Sequence, residues 1–167
     1  MIVISSGENN NGIIGKTDVN AKVFSANTLT VDMFGNSYYQ YQPYKIVTHA
    51  RVFSLMPKKG ICINENIGLF LIAKFSFFKH IFSYNNMCSW EKIKNLTIEL
   101  PVKENNEIDY VLMDTYISAV KKQIISRVHQ FIKREKQTYL NVINHSTPQS
   151  YNTEINTTFS IAAETNN

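Results

Sequence analysis

Leu96-Thr-Ile-Glu-Leu-Pro-Val102, then Lys103-Glu-Asn-Asn-Glu107, then Ile108-Asp-Tyr-Val-Leu-Met113 and the run on to Ile143 decide how this chain folds. Leu96 to Leu100 alternates apolar and polar residues, the period of a strand, and Pro101 stops it. Lys103 to Glu107 is a charged turn. From Ile108 or Asp109 the period becomes helical and stays so to Ile143. Asp109 and Asp114 near the start, and Lys121, Lys122, Lys133, Arg134 and Lys136 further along, suit the helix dipole. Met113, Ile117, Val120 and Ile124 follow a 4-3-4 spacing, and Val128 and Phe131 continue it less strictly. That is a narrow apolar seam of the kind a partner helix covers, on a helix longer than a small core needs.

Upstream, Asn64 or Asn66 caps a predicted helix running to about Phe82, apolar on most of its surface and therefore buried. Ser89 to Lys94 predicts a short helical turn. The first third of the chain reads as β structure. Met1 to Ser5 is a short apolar strand, Gly7 to Gly15 a turn-rich loop, and Val23-Phe24 and Thr28 to Phe34 alternate as half-buried strands. Gly35-Asn36 turns the chain into a second strand, Ser37 to Gln42, which makes a hairpin. Tyr44 to Met56 is a further β-rich stretch, ended by Pro57-Lys58-Lys59-Gly60. The fold class is α+β: a compact mixed domain over residues 1–107 with a twisted, largely antiparallel sheet, one long helix over 108–144, and a Thr/Asn/Ser-rich tail over 145–167 that reads as disordered.

Composition narrows the function. Of 167 residues, 44% are hydrophobic and 18% charged, enough for a core and too apolar for wholesale disorder. Cys62 and Cys88 cannot build a disulfide framework or a four-cysteine zinc site. His49, His80, His129 and His145 are scattered without metal-ligand spacing. No signal peptide is visible, and the most apolar run, Ile67 to Phe82, carries Lys74, Lys79 and His80. A cytoplasmic setting without membrane contact is expected. Gly12-Ile-Ile-Gly15-Lys16-Thr17 suggests a phosphate loop, but position 10 is Asn where that loop needs Gly, and no helix follows. No Gly-x-Ser-x-Gly elbow and no carboxylate pair appears. An enzyme using Cys88 with His80 is the weakest reading, because both residues fit structural roles better.

Charge points elsewhere. The net charge is +4, and the tail from His145 holds Glu154 and Glu164 with no Lys or Arg, so the rest of the chain is more basic than the whole. That balance favours an anionic partner such as nucleic acid. Ser5, Ser6, Asn9, Asn10 and Asn11 with Lys16 form one polar cluster, since Asn pairs with adenine edges and Ser or Lys with phosphate. Its bland reading is an ordinary solvated loop. Asn36, Tyr38, Tyr39 and Gln40, followed by Thr48 and Arg51, form a second, whose tyrosines equally suit a core. Lys58, Lys59, Lys79, Ser83, Tyr84 and Asn85 add loop cations and polar groups.

The order of these features is specific. A strand ending Ser5-Ser6-Gly7 leads to Asn-Asn-Gly-Ile-Ile-Gly15. The chain continues with Thr28-Leu-Thr-Val31 and Gly35-Asn-Ser-Tyr-Tyr-Gln40, then Thr48-His-Ala-Arg-Val-Phe-Ser-Leu55 and Asn64-x-x-x-Gly68-Leu-Phe70. Trp90, Leu-Pro101-Val and Ile108-Asp-Tyr-x-x-Met113 complete it, the last opening the long helix. This resembles the target-recognition domain of DNA-specificity (S) subunits of type I restriction-modification systems, and equally the similar region of fused type II enzymes. The resemblance covers about Ile2 to Ile143 and is most specific from Trp90 through Met113.

It implies a recognition domain that contacts duplex DNA through loops, and a long helix that packs on another as a spacer and docks partners. It also implies no cofactor and no catalysis by the chain itself. The implied partners are double-stranded DNA, a DNA methyltransferase subunit, a restriction subunit, and a second S-type half or a second copy through Met113, Ile117, Val120, Ile124, Val128 and Phe131. The family normally carries further residues before the segment that starts here at Met1, so the chain is expected to be N-terminally truncated. The reading from another class is a small protein-interaction adaptor with no DNA role.

Overall fold

The computed structural model describes residues 1–47, 49, 51–58 and 61–146, with side chains to residue 144. Two small sheets carry the β structure where one was expected. In the first, β1 (Ile2–Ile4) lies between β2 (Ile13–Lys16), antiparallel to it, and the parallel β5 (Tyr44–Ile46). In the second, β3 (Thr28–Val31) is central, with β4 (Ser37–Gln40) and β6 (Phe53–Leu55) antiparallel on its two edges. The hairpin expected at Gly35-Asn36 is the β3–β4 pair.

The Tyr44 to Met56 stretch divides between the sheets. Arg51 takes φ 47, a left-handed conformation that a continuing strand does not accept. Tyr44 rivets the division. Its ring stacks on Phe24 at 5.4 Å between centroids, and its hydroxyl, fully buried, meets Thr28 Oγ1 of β3 at 2.9 Å and donates to Ser54 Oγ of β6 at 2.7 Å.

Helix α1 (Glu65–Phe75) starts where Asn64 Oδ1 accepts from the Ile67 amide at 2.9 Å. The helix expected to reach Phe82 breaks after Phe75, and a short α2 (Phe78–Ile81) follows. Around the break Phe75 and Phe78 stack at 5.0 Å and Phe77 meets Phe78 edge-on at 4.8 Å. A short α3 (Trp90–Ile93) and the long α4 (Tyr110–Ser146) complete the elements.

Leu96 to Leu100 forms no strand and pairs with no described strand. Its alternation survives as burial, with Leu96, Ile98 and Leu100 packed on the core and Thr97 and Glu99 exposed. The core itself joins Leu29, Val31 and Tyr39 of the second sheet to Ile67, Leu71, Phe78 and Met113.

By compactness the chain divides into Met1–Gln123 and the part from Ile124 on, so the division falls inside α4 and not at residue 108. The reason is local. Met113 is fully buried, and α4 is pinned to the start of α1 by polar contacts. Asp114 Oδ1 accepts from Asn64 Nδ2 at 2.8 Å and Asn66 Nδ2 at 3.0 Å, Ser118 Oγ accepts from Asn66 Nδ2 at 2.9 Å, and Lys121 pairs with Glu65 at 3.1 Å. Met113, Ile117 and Val120 are therefore covered by their own chain in part or in full, which corrects the expected open seam. Ile124, Val128 and Phe131 are exposed, as are Ile125, Ile132 and Tyr139, which recur at seven-residue intervals. The expected tail lies outside the described residues from 147 on. No described helix is long and apolar enough to cross a membrane.

Candidate nucleic-acid interface

The β1–β2 connection carries the asparagines. Its closure is local: the Ser5 amide donates to the Gly12 carbonyl and the Gly12 amide to the Asn9 carbonyl, both at 2.9 Å. Asn10 and Asn11 take φ 48 and 54, a conformation Asn tolerates better than most residues. Gly12, at φ 77, leaves room for no side chain, since a Cβ would sit 2.9 Å from the Ser5 carbonyl oxygen. The loop therefore curls back on itself with Asn9, Asn10 and Asn11 exposed at its tip and Ser5 and Ser6 half-buried at its base.

The β3–β4 hairpin backs this loop. Asp32, 2% exposed, is the hub. Its Oδ1 accepts from the Phe34 and Asn36 amides at 2.9 Å, and its Oδ2 from Asn36 Nδ2 at 2.8 Å and from the Gly7 amide at 3.0 Å. Tyr38 donates its hydroxyl to the Gly7 carbonyl at 3.0 Å, and Gln40 Nε2 donates to the Asn11 carbonyl at 3.1 Å and to Thr30 Oγ1 at 3.0 Å. Tyr39 donates to Asn27 Oδ1 at 2.7 Å. Burial, reinforced by the carboxylates of Asp32 and Glu8 for Tyr38 and of Glu65 for Tyr39, raises both phenols above their ordinary range, so both remain donors at neutral pH.

This corrects the sequence reading of the hairpin. Asn36, Tyr39 and Gln40 are buried and face inward, and the Tyr38 hydroxyl is already engaged. They shape the loop, and Tyr38, half-buried, also lines a groove with Asn11 and Tyr41.

A third segment joins from behind the hairpin turn. Gly35, at φ 83, lies against α2, where a Cβ would come 2.6 Å from the Phe78 carbonyl carbon. Lys79 Nζ reaches Glu8 at 3.6 Å. The Cys88 amide donates to the Met33 carbonyl at 2.8 Å. Between these anchors, Ser83 and Asn86 exchange backbone hydrogen bonds of 3.2 and 3.1 Å, and Ser83, Tyr84 and Asn85 stand exposed. Lys92 Nζ donates to Asn86 Oδ1 at 2.6 Å and to the Met87 carbonyl at 2.9 Å, fixing that turn from α3.

Lys16 and Lys58 are exposed on β2 and after β6, away from these three segments, whereas Arg51, exposed before β6, reaches the third segment, where its Nη1 lies 3.1 Å from Met87 Sδ. Thr48 and Lys59 lie outside the described residues. Sequence reasoning missed Asp32, although Asp32-x-x-Gly35 is the composition of a turn whose Asp side chain bonds the backbone two residues on. It used Trp90 for the family resemblance but gave neither Trp90 nor Lys92 a binding role, for which no local pattern exists.

Cys88 is 1% exposed, and burial first, then the Asp32 carboxylate, pushes its thiol up to about 11 against a smaller lowering by Lys92. It is a protonated packing residue at neutral pH and lacks the thiolate that nucleophilic chemistry uses. Among the described residues no group of three or more His, Cys, Asp or Glu side chains is placed to hold a metal.

These features define a class: a mixed α+β module that presents polar loop tips on a bonded, buried backing. Residues 1–130 match the family model of the type I restriction modification DNA specificity domain, and the chain belongs to that family. It is a specificity domain, in accord with the resemblance drawn from Trp90 through Met113. No curated protein and no solved structure matches the chain.

Proposed function

We propose that the chain reads a double-stranded DNA sequence as the specificity component, or a fragment of one, of a restriction-modification complex, and directs methyltransferase and restriction subunits to it. The observation that carries this reading is the family match over residues 1–130. The exposed surface supports it. Asn9 and Asn11 present amides of the type that pair with base edges, Asn10 keeps its Oδ1 exposed while its Nδ2 donates to the Ile13 carbonyl at 3.2 Å, and Ser83, Tyr84 and Asn85 add a second polar tip. Lys16, Arg51, Lys58 and Lys79 offer cations to phosphates. The pairing of Lys79 with Glu8 is exposed and weak enough to exchange for phosphate. The part of α4 from Ile124 on, with its exposed apolar residues, suits a partner helix, and chemistry belongs to the partners.

Retention of duplex DNA from a mixed-sequence pool tests the proposal. Affinity should fall steeply, by about a hundredfold or more, between about 50 and 200 mM salt if several phosphates are neutralised. Absence of retention at low salt, with the methyltransferase subunit present, overturns it.

A further inference from the structure

Beside the second polar tip lies a groove of about 560 Å³, lined in part by Arg51, Tyr84, Asn85, Met87, Trp90 and Lys92. Its volume falls within the range of small-molecule sites. Three properties mark it. Two aromatic side chains stand in solvent at its rim, Tyr84 76% and Trp90 54% exposed, where apolar rings of that size are costly to leave uncovered. Two cations, Arg51 and Lys92, line it, and among the described residues no carboxylate does. Its floor is fixed: Arg51 Nη1 lies 3.1 Å from Met87 Sδ, Lys92 holds Asn86 and Met87, and Cys88 is tied to Met33.

We infer that this groove is a second DNA-contact site that takes an unpaired nucleotide, its base against Trp90 and Tyr84 and its phosphate beside Arg51 and Lys92. The inference rests on the DNA-binding reading above for the polymer and on the groove's own chemistry for the unpaired state. Bases within a duplex hide their π faces in the stack, so exposed aromatic rings flanked by cations find their complement only in a base that has left it. Charge complementarity selects the polyanion, and the rings select the open strand.

Trp90 is the sole tryptophan of the chain, so its fluorescence reports the groove directly. The full chain is titrated with single-stranded oligothymidylate and, separately, with a fully paired duplex. Saturable quenching by the single strand is expected, stronger than by the duplex. Tyr84→Ala and Arg51→Gln should each weaken single-strand affinity by about three- to tenfold. Trp90→Ala, followed by anisotropy of a labelled strand, should do the same while its thermal melt stays within that of the parent chain. Retention of duplex without any single-strand quenching overturns the groove assignment and leaves the duplex reading standing. Retention of neither overturns both. Single-strand binding unchanged by Tyr84→Ala and Trp90→Ala also overturns it.

Discussion

Asp32 shows how much a single buried residue decides here. One carboxylate accepts three backbone amides and one side-chain amide, and so couples the hairpin turn to the Asn-rich loop. Charge-assisted hydrogen bonds of this kind outweigh neutral ones, and removing the acceptor strands buried donors. Asp32→Ala should destabilise the fold by about 3 kcal/mol, read by denaturant unfolding. An effect under about 0.5 kcal/mol would show that the hub is dispensable.

The two cysteines make a contrast at the same scale. Cys62 is exposed and Cys88 buried, so a thiol reagent at pH 8 should modify one site quickly and the second only after unfolding. Raising the Cys88 thiol from 9.0 to about 11 favours the protonated form in the folded state. Stability from this group is therefore complete below about pH 9 and is lost as pH rises toward about 11. The raised phenols of Tyr38 and Tyr39 act in the same direction at higher pH. Thermal melts across that range check the decline, and Cys88→Ala should remove its lower part.

Among the elements, α1 shows how a sequence motif becomes geometry. Gly68 follows the capping Asn64 by one helical turn and lies directly under the Tyr39 ring of β4, where a Cβ would collide with the ring carbons. The glycine is needed for close approach, since its helical backbone suits any residue. Gly68→Ala should cost about 1–3 kcal/mol through overpacking, and Tyr39→Leu in the same chain should return part of that loss. Additive destabilisation in the double variant would refute the contact as the cause. The break between Phe75 and Phe78 is of a different kind. The local sequence there reads as one uninterrupted helix, with Phe75, Phe78 and Phe82 at the spacing of one helical face, and no local signal marks the break after Phe75.

For the whole molecule, the division within α4 separates a packed part of the helix from an exposed one. Up to Gln123 its residues belong to the first compact unit, through Met113, Asp114 and Ser118. From Ile124 its apolar residues are exposed. The proposed partner-helix role predicts that Ile124→Asp with Phe131→Asp abolishes co-purification with a methyltransferase subunit. The same variant should leave the unfolding transition of the first unit unchanged, because neither side chain is packed there. Undiminished co-purification would count against the role.

The sequence by itself determined the elements whose signals are local. The β3–β4 hairpin was legible in Gly35-Asn36, the α1 cap in Asn64, the turn in Lys103 to Glu107, and α4 in its period from Asp109. Family membership was legible in the order from Trp90 to Met113. Tertiary structure alone decided which side of each element meets the rest of the chain. Alternation in Leu96 to Leu100 records burial on one face, but strand pairing needs a second chain segment that local sequence does not specify. Asn36, Tyr39 and Gln40 have the side chains of a reading surface, yet Gln40 is bonded to the Asn11 carbonyl, Tyr39 lies against Gly68 of α1, and Asn36 is buried on Asp32. Burial depends on residues far away in the chain, and that is why the polar tips, the Asp32 hub and the Trp90 groove emerge only once those segments are brought together.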